Sequence, residues 1–208
     1  MEQVQRWQGE FGDRYEARQG TTQSSVQARC DLLGGALDLV SDDLRDGLVV
    51  ELGSGRGDNL VALEWLWGMS GVAVDVRRPP SHSRAAVHWL QASAGAVPLR
   101  TECADLVLSM GLLIHVRPDM RPPVLAEMLR IVRPGGHISV FEYFAPETRP
   151  VPYRGHGDML WLADYGALLQ QAAAGRVNLE PVDWGHAYKA MGDCDDLAWW
   201  VFTRGGGI

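Results

Sequence analysis

Cysteine is scarce in this 208-residue chain and does not cluster. Cys30, Cys103 and Cys194 are odd in number, widely spaced, and form no CxxC pair. That argues against a disulfide framework or a zinc site and fits reduced thiols in a cytoplasmic protein. Long apolar runs are also missing, so no segment is expected to cross a bilayer. The first ten residues are polar, with Glu2, Arg6 and Glu10, and lack the apolar centre of a secretion signal. Positive charge is not in excess either: the formal net charge is −7. A nucleic-acid partner is therefore not expected, because a phosphate backbone selects a basic face. No internal repeat and no long linker interrupt the chain. His82, His88, His137 and His186 show no ligand spacing with acids or cysteines, so no metal is assigned. A single folded domain with a sizeable core is expected at this length.

What is present is an alternation of apolar patterns. Residues 1–20 are polar, punctuated by Trp7, Phe11 and Tyr15, and suggest a helical arm. Thr21 and Thr22 offer capping hydroxyls for a helix whose stripe is Val26, Cys30, Leu33, Leu37 and Val40. Short buried strands are expected at Leu48–Leu52, Val72–Val74 and Val87–Leu90. Two more are expected at Leu106–Leu108 and His137–Tyr143. Helices are expected at Leu60–Trp67, Val124–Val132 and Met159–Ala174, with Pro122 and Pro123 tolerated in a first turn. Pro79-Pro80 argues against a long helix after the second strand, because proline does not sit in a helix interior. The last strands, Val177–Tyr188 and Leu197–Thr203, flank a polar loop, Met191 to Asp196. Alternation implies an α/β fold with a mostly parallel sheet covered on both faces, and the closing pair implies one antiparallel strand.

The chemistry concentrates in Glu51-Leu52-Gly53-Ser54-Gly55-Arg56-Gly57-Asp58, between the first strand and the next helix. Glycines there permit a tight turn and close backbone approach to a ligand. Asp75 ends the second strand, where an acid accepts hydrogen bonds from ribose hydroxyls. A dinucleotide fingerprint requires glycine at the sixth position of GxGxxG, which here is Asp58. The GxGxG spacing behind Glu51 instead resembles the first motif of class I methyltransferases. Ala104-Asp105-Leu106-Val107-Leu108-Ser109-Met110 is similar to that family's fourth strand. Arg130-Ile131-Val132-Arg133-Pro134-Gly135-Gly136 is similar to its turn before strand five.

A narrower resemblance runs along most of the chain. Glu10-Phe11-Gly12-Asp13-Arg14-Tyr15-Glu16-Ala17-Arg18 resembles the opening of the pseudaminic-acid-biosynthesis-associated methylase family. So do Gly111 to Met120, Glu142-Tyr143-Phe144-Ala145-Pro146, and Pro152-Tyr153-Arg154-Gly155-His156-Gly157-Asp158. Arg18-Gln19 and Leu162-Ala163 depart from that family's pattern.

These resemblances imply a Rossmann-like class I fold with a seven-stranded, mostly parallel sheet whose last strand is antiparallel. They imply an arm or lid at 1–45, a cofactor-binding part at 46–208, and S-adenosyl-L-methionine as cofactor. The residues implied around it are Tyr15, Arg18, Glu51, Gly53, Ser54, Gly55, Gly57, Asp75, Val76, Ala92, Ser93, Ser109 and Met110. Methyl transfer places orientation, water exclusion and proton removal on the protein, so histidine is the natural base. His115, Tyr143, Tyr153, Arg154 and His156 follow or end strands four and five and are the candidates for the acceptor side. Arg154 suits a substrate carboxylate. The expected reaction is O- or N-methylation of a small polar molecule such as a sugar acid or secondary metabolite. Transfer or cyclisation of the aminocarboxypropyl group, releasing methylthioadenosine, is the alternative. The expected partner is a small molecule, with no nucleic acid or membrane, for a cytoplasmic monomer or homodimer.

Overall fold

A computed structural model describes residues 2–18, 23–78, 87–191 and 194–206. Thr21, Thr22, the Pro79-Pro80 pair and His82 lie outside them. One sheet organises the molecule. Its parallel strands are β1 (Leu48–Leu52), β2 (Ser70–Asp75), β3 (Val87–Gln91), β4 (Ala104–Met110) and β5 (Val132–Tyr143). A two-stranded ribbon, β6 (Arg149–Pro150) and β7 (Trp161–Leu162), follows. The final hairpin, β8 (Leu179–Met191) and β9 (Cys194–Arg204), completes a seven-stranded sheet of order β3-β2-β1-β4-β5-β9-β8. Only β9 runs against its neighbours. This is the Rossmann-like methyltransferase fold that the sequence implies.

The strands are apolar on both faces because both faces are covered. Side chains alternate at period two. Val50, Leu52, Val72, Val74, Val107 and Val140 share one buried cluster with residues of α6 (Arg121–Ile131) and α7 (Tyr165–Ala173). Val49, Ala73, Leu106, Leu108 and Phe141 share another with α3 (Gln23–Ala36), α4 (Ser41–Leu44) and α5 (Asp58–Trp67). Leu106 is fully buried, and its truncation to alanine is expected to cost about 2–5 kcal/mol.

Local chemistry fixes the element ends. Gly68, at φ +70°, closes α5 with its N–H on the Glu64 carbonyl. Pro122 and Pro123 sit in the first turn of α6, where their missing N–H groups are harmless. Asp164 caps α7 by accepting from the Ala167 N–H at 2.9 Å. That cap corrects the expected helix at Met159–Ala174, whose front half is strand β7 and its approach. Five consecutive apolar residues carry no period, so the pattern does not separate strand from helix there. The hairpin also continues through Met191 and resumes at Cys194, so most of the expected polar loop is strand.

After β1 the chain builds β2 and β3 on one side, then crosses back to β4 on the other. The crevice at the carboxyl ends of β1 and β4 is therefore the topological switch point, where open sheets of this kind bind ligands. The N-terminal segment divides in two. Helix α3 packs on α5 and belongs to the sheet's own layer. Only α1 (Glu2–Gln8) and α2 (Glu10–Arg18), broken at Gly9, lie outside both apolar clusters and extend over the crevice.

Candidate active site

A cavity of about 590 Å³ opens at the switch point. Its floor is the loop after β1. Gly53 adopts φ +73°, and a Cβ there would meet Leu112 side-chain atoms at 2.8 Å, so only glycine fits. Gly55, at φ +53°, has open space where a Cβ would sit, and its N–H donates to Asp75 Oδ2 at 3.0 Å. The Arg77 N–H holds the other oxygen, Oδ1, at 2.9 Å. Burial raises the Asp75 pKa, opposed by these two donors. Both oxygens retain lone pairs for further donors.

Three residues lining this cavity, Glu51, Ser54 and Asn59, each have a buried polar atom without a protein partner, Oδ1 in Asn59. Glu51, 1 % exposed, has its Oε1 held by the Asn59 amide, while Oε2 has no partner. Burial pushes its pKa up to about 8, offset by the Asn59 hydrogen bond and the Arg29 charge. Ser54 Oγ is likewise buried and unpaired. Unsatisfied buried groups are costly and call for a ligand. Arg29, on α3, lines the same cavity with a guanidinium that donates to Met110 Sδ at 3.0 Å. A carboxylate awaiting a cation, an arginine within reach of an anion, and an aspartate at the end of β2 fit an amino acid joined to a ribose. S-adenosylmethionine has those parts, so the residues present fit the cofactor.

The roof is the arm. The Gln3 side-chain amide donates to the His115 carbonyl and accepts from the Arg117 N–H at 3.2 Å. Gln8 donates to the Val76 carbonyl at 3.0 Å. Arg77, just beyond β2, pairs with Asp13 at 3.0 Å and Glu16 at 2.7 Å. Beneath the arm, Trp7 packs edge-on against Tyr15 at 5.4 Å, Phe11 at 5.0 Å and His115 at 4.9 Å. Tyr15 is raised in pKa, chiefly by burial.

His115 ends a short 3-10 turn, Leu113–His115, that follows β4. Its Nδ1 lies 2.7 Å from the Met159 carbonyl, which can only accept. The proton is therefore on Nδ1, and Nε2 carries the free lone pair. Burial drives the His115 pKa down to about 4, so the ring is neutral at pH 7. Tyr153 stacks on its flank at 5.2 Å.

The expected site residues divide among four places. Tyr15, Glu51, Gly53, Ser54, Gly55, Asp75, Val76, Ala92, Ser93, Met110 and His115 all line the cavity. Gly57 does not: it lies at φ +74° before α5, packed near Trp89, and shapes the turn. Ser109 is fully buried within β4, bonded to Glu142 at 3.4 Å, and Tyr143 sits in the apolar layer on the α7 side. These two point away from the cavity because each strand turns alternate residues inward. Arg18, Arg154 and His156 line a second, smaller cavity on the outer side of the arm. Sequence reasoning missed Arg29, Asn59, Gln3 and Arg77. Arg29 left a signal, since a charge at the third residue after Val26 interrupts the apolar stripe of α3. Among the described residues no cluster of histidine, cysteine and acids could hold a metal ion.

Comparisons with known proteins agree with this geometry. Residues 50–140, from β1 into β5, match the family model "Methyltransferase domain". No curated protein sequence matches the chain. A 1,6-didemethyltoxoflavin-N1-methyltransferase from Burkholderia thailandensis superposes with a TM-score of 0.64 at 19% identity. The match covers 87% of this chain and 78% of that one, which was crystallised with S-adenosylhomocysteine. A geranyl diphosphate C-methyltransferase from Streptomyces coelicolor A3(2) gives 0.59 at 13% identity, covering 86% and 79%. A putative sarcosine dimethylglycine methyltransferase from Galdieria sulphuraria gives 0.63 at 12% identity, covering 86% of each. The methyltransferase-domain match thus spans the glycine loop, Asp75 and β4, on a Rossmann-like fold shared with S-adenosylmethionine-dependent methyltransferases.

Proposed function

We propose that the protein methylates an oxygen or nitrogen of a small polar molecule under a lid formed by residues 2–18. The carrying observation is His115: a neutral imidazole with Nε2 free, on the wall of the cavity that fits the cofactor. The cofactor supplies a methyl group activated on sulfur, so the protein needs no nucleophile of its own. Glu51, Arg29 and Asp75 hold the amino-acid and ribose ends. Trp7 and Tyr15 present aromatic faces, which favour a nearby positive charge and exclude water. His115 Nε2 accepts the proton that an alcohol or ammonium acceptor gives up. Tyr153, against His115 and Phe11, shapes the acceptor side. A sugar acid or a secondary metabolite fits such a site; the pseudaminic-acid-related resemblance and the small-molecule enzymes among the structural neighbours both favour this class.

The test is mass spectrometry of the nucleoside product after incubation with S-adenosylmethionine and a panel of sugar acids and small amines. S-adenosylhomocysteine with a matching gain of one methyl on an acceptor is expected. Methylthioadenosine would assign the chain to aminocarboxypropyl chemistry instead.

A further inference from the structure

A second cavity, of about 380 Å³, lies between the outer face of the arm and the turn after β5. Its composition is unlike the rest of a chain with formal net charge −7. Arg6, Glu10, Arg14 and Arg18 follow one another at four-residue intervals and put three guanidiniums on this side. Arg154 and His156 face them from the turn. Arg6 pairs with Asp158 at 3.0 Å, and Arg14 pairs with Glu10. Arg18 and Arg154 have no acidic partner among the described residues. Each lies over a tyrosine ring instead, Arg18 at 5.9 Å from Tyr15 and Arg154 at 5.3 Å from Tyr153.

The backbone adds a separate observation. Tyr153 and His156 exchange hydrogen bonds of 2.8 and 3.0 Å across a two-residue turn, with Arg154 at φ +50° and Gly155 at φ +82°. Two left-handed residues make a mirror-image turn that favours Asn-Gly. Arginine at the first position is strained, and such strain is found where a side chain is required in one place. Here the place is the wall of the basic cavity. Two uncompensated guanidiniums, one on the arm and one on the core, oppose closure of the arm unless an anion lies between them.

We infer that this cavity is an oxyanion site. It takes the carboxylate or phosphate of a small molecule, held by Arg18 and Arg154, and the bound anion ties the arm down over the reaction centre. The inference rests on the reading of the arm as a lid. The cavity lies beside the reaction centre, because Phe11 contacts both His156 and Tyr153, and Tyr153 contacts His115. Guanidinium forks match carboxylate and phosphate alike.

The experiment titrates the full chain with inorganic phosphate and with glucuronate at constant ionic strength, using chloride as control. Calorimetry reads affinity, and hydrogen exchange reads protection of the α2 amides. Saturable binding that the Arg18→Gln/Arg154→Gln double variant weakens by about tenfold or more is expected. A gain in α2 protection is expected in the wild type alone. Tighter glucuronate assigns the site to a carboxylate, and tighter phosphate to a phosphate. Equal binding by wild type and variant, or none above chloride, overturns the site. Binding without α2 protection overturns the closing role. S-adenosylhomocysteine titrated into the same wild-type sample keeps the two readings apart. A chain that binds the nucleoside but no oxyanion loses only this inference. One that binds oxyanions but no nucleoside loses the cofactor reading.

Discussion

The Leu113 N–H donates to Glu142 Oε1 at 2.7 Å, with both residues fully buried. Leu112 donates to the same oxygen at 2.9 Å, and Ile114 to Oε2 at 3.3 Å. One carboxylate at the end of β5 thus anchors the turn that carries His115. Burial raises its pKa to about 7 against the pull of these donors. A folded pKa above the unfolded value near 4.5 stabilises fully below about pH 4.5. That contribution is lost as pH rises through about 7. Glu142→Gln keeps the shape but removes an acceptor. It should cost about 1–3 kcal/mol, flatten the loss of melting temperature between about pH 5 and 8, and lower kcat more than it raises KM. Unchanged turnover in a folded variant would remove Glu142 as a positioning residue.

Glu51 yields a prediction about protons. With a pKa of about 8 and an unpaired Oε2, it is mostly protonated at pH 7 without a ligand. The ammonium of the bound nucleoside favours the carboxylate. Binding S-adenosylhomocysteine at pH 7 should therefore release nearly one proton. Calorimetry in two buffers of different ionisation heat measures it. Glu51→Gln should abolish the release and weaken binding by about 1.5–3 kcal/mol.

His115 predicts a flat pH profile. Its pKa of about 4 keeps Nε2 available through the neutral range. Wild-type kcat/KM should show no loss from this group between about pH 8 and 5, and should fall roughly tenfold per unit below about 4. His115→Asn should lower kcat by about 10²–10⁴ with little change in S-adenosylhomocysteine affinity. A variant that turns over normally would mean that the acceptor sheds its proton elsewhere.

The arm is the easiest part to remove. No side chain from residues 2–18 belongs to either apolar cluster, so the sheet should fold without them. Deleting residues 1–18 should leave circular dichroism and cooperative melting intact and abolish turnover. Retained activity would reduce the arm to an ornament.

The fold was readable because buried parallel strands show as apolar runs and the glycine loop must follow the first of them. The seven strands and the antiparallel β9 follow from that pattern. That Glu51, Gly53, Gly55 and Asp75 line one cavity was readable for the same reason, since that placement depends on backbone position. Ser109 and Tyr143 were not, because one residue of strand alternation decides between cavity and core. Glu142 and Arg29 act across 29 and 81 residues of sequence, to Leu113 and Met110 respectively, and only the fold brings those pairs together. Arg18 was expected at the cofactor and Arg154 and His156 at the acceptor, and they line the second cavity instead. Which side of an aromatic layer they occupy is a property of packing, not of pattern.

The break at Gly9 has a kinetic consequence. The front half of the arm is fastened through Gln3 and Arg6 to the loops beyond β4 and β5. The rear half is fastened through Asp13 and Glu16 to Arg77, two residues past Asp75. The arm is a strap buckled on both banks of the crevice. Under the proposed reading, a cofactor held below it would exchange only when those contacts break.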